Sequence, residues 1–434
     1  MPSHYFVAAL AALTLSAGGA SVAAATPEQP KVSLRASGGV ATAQYTLHDV
    51  GAPPPSAYPS SEPIGFNDTG QIFGIATSVA KEDRVGFSSD FDCLVWTGTR
   101  FVDLSPAGTF ESCAPFAIDG ADLASKAFTV VGRFHDIYHD FAPDYSSVGD
   151  SAQVAFAANV SSATGTFAFS PYYAYDPSGF FGINSGGVKV GYAQDVAAFT
   201  QAQLAVGAAS DTFAFVRPAC ADAASSALCP ISIQSLKPFS NGQPTGYCAF
   251  GGCTIDDDGN VLGVDAQAGS YLIARIGEPS SARDLALSSS VHAVAMNQPG
   301  TILYGYTVTS GTGIVGAALF DIASATSTAL PPVSGTSCAY YYPISMNHTG
   351  EVLGFTGSCK AAHFYWTWDA IHGTREVTAA VPIGGTSFEA FGVNDAGAIL
   401  VSFAIDGTTH WGMLQPSASG TVRQLNHPGS FHVR

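Results

Sequence analysis

The residues best equipped for chemistry are His135-Asp136-Ile137-Tyr138-His139-Asp140, with Asp144 and Asp150 close behind. Neutral imidazole and ionised carboxylate bind zinc or another divalent ion without further activation, so His135, Asp136, His139 and Asp140 form the candidate metal set. A divalent metal there is the one cofactor the sequence suggests. The competing reading is a solvated loop whose Asp residues begin turns.

Other chemical signatures are weaker. Asp256-Asp257-Asp258-Gly259 has the charge for calcium but lacks the alternating ligand spacing and final Glu of an EF-hand loop. Gly311-Thr312-Gly313-Ile314-Val315-Gly316 fits a dinucleotide fingerprint in letters only, since it joins two strand-like runs instead of opening a helix. Neither a Gly-x-Ser-x-Gly elbow nor a His-Glu-x-x-His helix occurs. Glycosidases work with paired carboxylates, and among the 33 Asp and Glu no pair stands out by spacing. Trp96, Trp366, Trp368 and Trp411 could stack on sugars if exposed, but their strand positions favour a structural core.

What must position these groups is a repeated hairpin. The stretch Met346-Asn347-His348-Thr349-Gly350-Glu351-Val352-Leu353-Gly354 puts an apolar residue before Asn, a Gly three residues after it and then an apolar run. Six copies centre on Asn67, Asn184, Asp256, Asn297, Asn347 and Asn394, and a degenerate one on Asp119. The 327 residues from Asn67 to Asn394 hold six intervals, a mean of about 54, close to the period of four-stranded propeller repeats. Asn and Asp start turns by bonding to nearby backbone, and the later Gly takes positive φ. Asp119 lacks that Gly, which predicts a longer turn.

The second strand of each repeat is apolar on consecutive residues, as suits burial on both faces. A Gly inside most of them (Gly74, Gly191, Gly263, Gly305, Gly354) predicts close backbone approach between neighbouring repeats. A third, aromatic strand follows at Leu94-Val95-Trp96, Phe213-Ala214-Phe215, His363-Phe364-Tyr365-Trp366 and His410-Trp411-Gly412-Met413. A fourth reads Phe101-Val102-Asp103-Leu104 or Val422-Arg423-Gln424-Leu425. The expectation is an all-β, seven-bladed β-propeller of four-stranded repeats over residues 43–430. Tyr45 to Val50 is a surplus strand, expected to close the last blade beside Val422 to Leu425.

Over roughly residues 43–426 this pattern resembles the bacterial extracellular HAF-repeat proteins, which couple an Ile-Asn-x-x-Gly hairpin to a His-Ala-Phe-like strand. The resemblance implies export and a propeller-like fold, and brings no catalytic residues with it. Only His363 and His410 keep the His before the aromatic strand.

Composition agrees with export. Residues 1–25 read as a signal peptide, with an apolar core from Phe6 to Leu15 and a small-residue site at Ala23-x-Ala25, and residues 26–42 read as a linker. No later run of about 18 apolar residues predicts a membrane span. A formal charge of −17 with only 16 Lys and Arg argues against nucleic acid. Eight cysteines allow 105 connectivities, among which neighbour pairing is expected: Cys93 with Cys113, Cys220 with Cys229, Cys248 with Cys253, and Cys338 with Cys359. The last pair has a geometric warrant, because opposed residues of a hairpin turning between His348 and Thr349 include these two. The long insertions, residues 133–152, 216–250 and 77–92, are where function tends to sit. The favoured reading is a secreted, non-enzymatic binding or adhesion scaffold for a glycan, peptide or surface protein. The alternative is a secreted hydrolase or metal-dependent enzyme built on residues 133–152.

Overall fold

The repeated turn closes as its residue types dictate. At Asn67, Asn184, Asp256, Asn297, Asn347 and Asn394 the side-chain Oδ1 accepts the backbone N–H four residues on, at 2.7–3.0 Å. In the Asn347 copy, the Asn347 N–H reaches the Glu351 carbonyl and the Gly350 N–H returns to the Asn347 carbonyl. The Gly at the third position has φ between 70° and 87° in all six copies, a conformation that a Cβ would penalise. Asp119 departs as its missing Gly predicts. Its partner is Thr129, ten residues on, through both backbone and side chain.

The computed structural model describes residues 42–54, 56–77, 91–105, 112–120, 126–136, 152–171, 178–193, 213–217, 246–247, 254–265, 269–275, 278–288, 291–297, 300–306, 316–333, 340–357, 364–379 and 385–417. These are strands and turns, and the chain divides into two units, residues 1–52 with 291–434 and residues 53–290. The first strand, β1 (Thr42–Gly51), belongs to the former.

The unit of residues 53–290 holds four antiparallel sheets. They are β2 (Ser60–Phe66), β3 (Ile72–Thr77), β4 (Phe91–Trp96) and β5 (Phe101–Asp103); then β6 (Ser112–Ile118), β7 (Ala127–Asp136), β8 (Ala152–Ser161) and β9 (Phe167–Pro171). A three-stranded sheet follows, β10 (Ser178–Ile183), β11 (Lys189–Ala193) and β12 (Phe213–Arg217). The fourth has β13 (Gly246–Tyr247), β14 (Thr254–Ile255), β15 (Asn260–Asp265), β16 (Ser270–Arg275) and β17 (Glu278–Ser288), with β13 and β14 both paired to β15.

The other unit holds β18 (His292–Met296), β19 (Thr301–Tyr306), β20 (Gly316–Asp321) and β21 (Thr326–Ala329) as one meander. Its second sheet has eight strands, in the order β22 (Tyr340–Met346), β23 (Val352–Gly357), β24 (Tyr365–Asp369), β25 (Gly373–Ala379), β1, β28 (Thr408–Pro416), β27 (Ile399–Ile405) and β26 (Gly385–Val393). Each meander is a β-propeller blade, so the fold class expected from the repeat holds. Seven blades are expected; among the described residues hydrogen bonding joins the meanders into six sheets, because β1 runs parallel to β25 and antiparallel to β28 and fuses two of them. The surplus first strand does complete the last blade, alongside Trp411–Pro416; Val422–Leu425, expected beside it, lie outside the described residues. His410 Nδ1 lies 3.1 Å from the Asp49 carboxylate, and Ser417 N–H donates to the Gln44 carbonyl, fixing that register.

A device invisible in the spacing recurs in the innermost strand. The ladder slips by one residue between Pro63/Gly65, Pro115/Ala117, Phe180/Gly182, Ala293/Ala295, Pro343/Ser345 and Ala390/Gly392, always at the same distance before the turn. The bulge re-aims the skipped residue, and Ile64, Phe181, Val294, Ile344 and Phe391 there are buried. It also corrects the reason for the Gly in the second strand. A Cβ on Gly191 would collide with the Gly179 carbonyl, and one on Gly354 with the Tyr342 carbonyl. At these two positions the close approach is therefore within the repeat, Gly354 also meeting the Trp366 ring of β24, and not between neighbouring repeats.

The apolar second strands are buried as expected, with Ile72, Val130, Val190, Val261, Ile302, Val352 and Leu400 at 0% exposure. Trp366 and Trp411 are core; Trp96 and Trp368 are half-buried. Cys93 and Cys113 form a disulfide joining β4 to β6, as neighbour pairing predicts. The other six cysteines lie outside the described residues.

Candidate binding site on the turn edge of one blade

Three of the repeat turns also tie to the next one. Asn67 Nδ2 donates to the Asp119 carbonyl at 3.0 Å, Asn184 Nδ2 to the Asp256 carbonyl at 3.1 Å, and Asn347 Nδ2 to the Asn394 carbonyl at 2.8 Å. The following residue repeats the move. Ser185 N–H donates to Asp257 Oδ1 and His348 N–H to Asp395 Oδ1, both at 2.8 Å. His348 Nδ1 adds a contact to Asp395 Oδ2 at 3.0 Å, and although burial alone would raise the Asp395 carboxyl, these bonds carry it below the usual range. The Asn side chain is thus both turn-former and cross-blade clip. An Asp can do only the first, having no amide donor.

The turn edge of the β22–β25 meander gathers the chain's most unusual polar group. Val352 pairs with Trp368 and Asp369 with Gly373, so Glu351, at the head of β23, and Asp369, at the end of β24, come to the same edge. Asp369 is saturated. Its Oδ1 accepts the Ile371 N–H at 2.9 Å and the His372 N–H at 2.8 Å; His372 Nδ1 lies 2.9 Å away, and Arg375 Nη2 binds Oδ2. Burial pushes the Asp369 carboxyl up, but these donors outweigh it and hold the group below the ordinary carboxylate range.

Glu351 is the contrast. Among the described residues its carboxylate has no hydrogen bond, and a Cβ on Gly397 of the neighbouring turn would stand 3.0 Å from its Oε2. Burial raises its pKa and the Asp369 charge raises it further, against the pull of Arg375 and His372. The influence reaches Tyr45 of β1, whose phenol is pushed up to about 12 by burial and then by Glu351. Two acids on one edge therefore differ in kind, one ionised and fully bonded, the other half-buried and lacking a donor.

The candidates read from spacing fare unevenly. His135 and Asp136 close strand β7, their side chains outside the described residues, and His139 and Asp140 lie wholly outside them. Asp256 is a repeat turn: Oδ1 accepts Asn260 N–H and Oδ2 accepts Asn260 Nδ2, so its oxygens serve the hairpin. The segment Gly311 to Val315 is outside the described residues. Glu351, Asp369, His372 and Arg375 were not singled out by spacing. The available signal was one of the chain's few Glu directly after a repeat Gly, with Asp369-Ala370-Ile371-His372-Gly373 reading as the turn two strands later.

Fold and edge together define an all-β propeller-blade scaffold carrying one underbonded acid. No protein-family model matches the chain, and no curated protein matches its sequence. Among solved structures, an oligogalacturonate lyase from Vibrio parahaemolyticus is similar over 88% of this chain and 98% of its own, at 9% identity and a TM-score of 0.48. The β-propeller domain of the Trilobed protease from Pyrococcus furiosus is similar over 71% of this chain and 86% of its own, at 7% identity and a TM-score of 0.41. For the acylaminoacyl peptidase of Pyrococcus horikoshii the figures are 82%, 52%, 10% and 0.40, so this chain spans about half of that one. At this degree of likeness no activity is carried over. No helix among the described residues is long and apolar enough to cross a membrane.

Proposed function

We propose that the protein is an exported binding scaffold that holds its ligand at the Glu351 edge of the β22–β25 meander. The observation that carries this is the half-buried Glu351 carboxylate without a hydrogen bond among the described residues, beside an Asp whose acceptors are all taken. A half-buried carboxylate that still reaches solvent can accept a ligand donor without giving up a bond inside the protein. Export is supported by the signal-like residues 1–25, the disulfide between Cys93 and Cys113 and the resemblance to extracellular repeat proteins.

The hydrolase reading gains one point and loses a larger one. Paired acids with pKa values driven apart are how general acid and base are assigned, and Glu351 and Asp369 are driven apart. A base must have a free oxygen to take a proton, however, and Asp369 spends both of its own on Ile371, His372 and Arg375. The edge binds better than it reacts. The test is to screen the full-length protein on glycan and peptide arrays, then repeat every positive with Glu351→Gln. Hits that weaken several-fold in the variant support the reading; hits indifferent to Glu351 refute this site.

A further inference from the structure

We infer that the Glu351 edge takes a basic protein segment, with Ile371 as the apolar anchor that enters a socket on the partner; this rests on the binding reading above. Ile371 is 87% exposed, the one large apolar side chain so exposed among the described residues. A lone exposed Ile on a loose loop would need no explanation. This one is held. The Asp369 carboxylate accepts the Ile371 and His372 N–H groups and contacts the His372 ring, Arg375 braces the same carboxylate, and Gly373 turns the chain with φ of 69°. Ordering the tip on binding therefore costs little, which is what makes an anchor effective.

The equivalent tips of other meanders carry no such residue. Between β20 and β21 the exposed positions are Ala323, Ser324 and Ala325, between β8 and β9 Ala163, Thr164 and Thr166, and between β4 and β5 Gly98, Thr99 and Arg100, none of them a large apolar side chain. Asp321 shows the same Asp-based turn, accepting the Ser324 N–H and hydroxyl at 2.6 Å, so the turn itself does not call for an Ile. A branched aliphatic tip suits a protein socket lined by apolar side chains. It offers a sugar neither hydroxyl partners nor an aromatic face.

The charge of the partner follows from Glu351. A carboxylate that lacks a donor and is disfavoured as an anion by burial gains most from a cation that brings hydrogen bonds, Lys or Arg. The chain as a whole has 33 acidic residues against 16 Lys and Arg, a formal net charge of −17, so encounter with a basic segment is steered as well.

The experiment selects a phage-displayed random peptide library on immobilised full-length protein and measures synthetic versions of enriched peptides by fluorescence anisotropy. Expected are peptides pairing Lys or Arg with apolar residues, weakened about tenfold by Ile371→Ser and by Glu351→Gln, and indifferent to Ala323→Ser. Thermal melting of each variant separates lost binding from lost fold. If Glu351→Gln weakens the peptides and Ile371→Ser does not, the binding edge stands and the anchor is wrong. Acidic peptides, or a glycan hit on the same edge that Ile371→Ser leaves intact, overturn the basic-segment inference while keeping the site. Peptides indifferent to both variants overturn both.

Discussion

Two meanders of this chain answer the same turn problem differently. In β22–β25, Asn347 is 5% exposed and does three jobs: it accepts the Glu351 N–H, accepts the Thr349 hydroxyl and donates Nδ2 to the Asn394 carbonyl of the next turn. In β6–β9 the same place is Asp119, which accepts from Thr129 across a longer loop and has no amide to donate. Burial lifts its carboxyl to about 6 despite that bond. The β6–β9 meander has instead a covalent tie, Cys113 to Cys93 of the preceding sheet. At its outer edge it ends on β9, whereas β25 gains β1 as a further neighbour. One meander clips itself to the next turn and gains a borrowed strand; the other has no amide at its turn to reach onward and is held to the preceding sheet by the Asn67 amide and a disulfide.

The largest effect should come from removing the borrowed strand. Deleting Thr42–Gly51 takes away buried Tyr45 and Val50 and two ladders, a loss on the order of 5 kcal/mol from side-chain burial alone. Hydrogen exchange should lose protection over residues 373–379 and 408–416 while 127–136 keeps its own. Early loss at 60–77 would mean that β1 fastens something else.

Next comes the disulfide. With its ends 20 positions apart in sequence, replacing Cys93 and Cys113 by Ser should cost on the order of 3 kcal/mol. The loss should appear as faster exchange in β4 and β6 and leave β22–β25 unchanged. Equal loosening of both meanders would erase the contrast.

Asn347→Asp copies the Asp119 chemistry into the clipped meander. It keeps the Oδ1 acceptor, removes the Nδ2 donor and buries a charge, for about 2 kcal/mol at neutral pH. Denaturant unfolding of the variant at pH 7 and pH 4 should show the penalty shrinking on acidification, as the buried carboxylate protonates. A penalty that does not change with pH would show that the charge is not what costs.

The reverse exchange should be the smallest effect and of opposite sign. The folded carboxyl of Asp119 titrates near 6 and the unfolded one near its ordinary 3.8, so between these values the folded chain holds more protons. Stability therefore falls as pH rises through that window and stays lowered at neutral pH. Asp119→Asn keeps an Oδ1 for the Thr129 N–H, should remove the slope, and should raise stability at pH 7 by about 1–2 kcal/mol. A slope that survives the substitution must come from another group.

The sequence by itself determined the repeat and its local chemistry. Asn at the turn start, Gly three residues on and the apolar run after it encode conformations set within five residues, and short-range hydrogen bonds and φ preferences do not depend on what lies elsewhere. The Cys93–Cys113 pair was legible for a related reason: the chain is short between them, which is what neighbour pairing assumes. Tertiary structure alone decided what depends on register between distant segments. The bulge before each turn, the seating of β1 against Trp411–Pro416 and β25, and the Asn347 bond to Asn394 each join residues whose spacing carries no local rule. The Glu351 edge belongs with these. The letters give Glu351 only its place after a repeat Gly, not its burial or its bonding. Its environment is made by Gly397 47 positions from Gly350 and by Asp369 two strands away, and a side chain's missing partner shows only when the fold has supplied everyone else's.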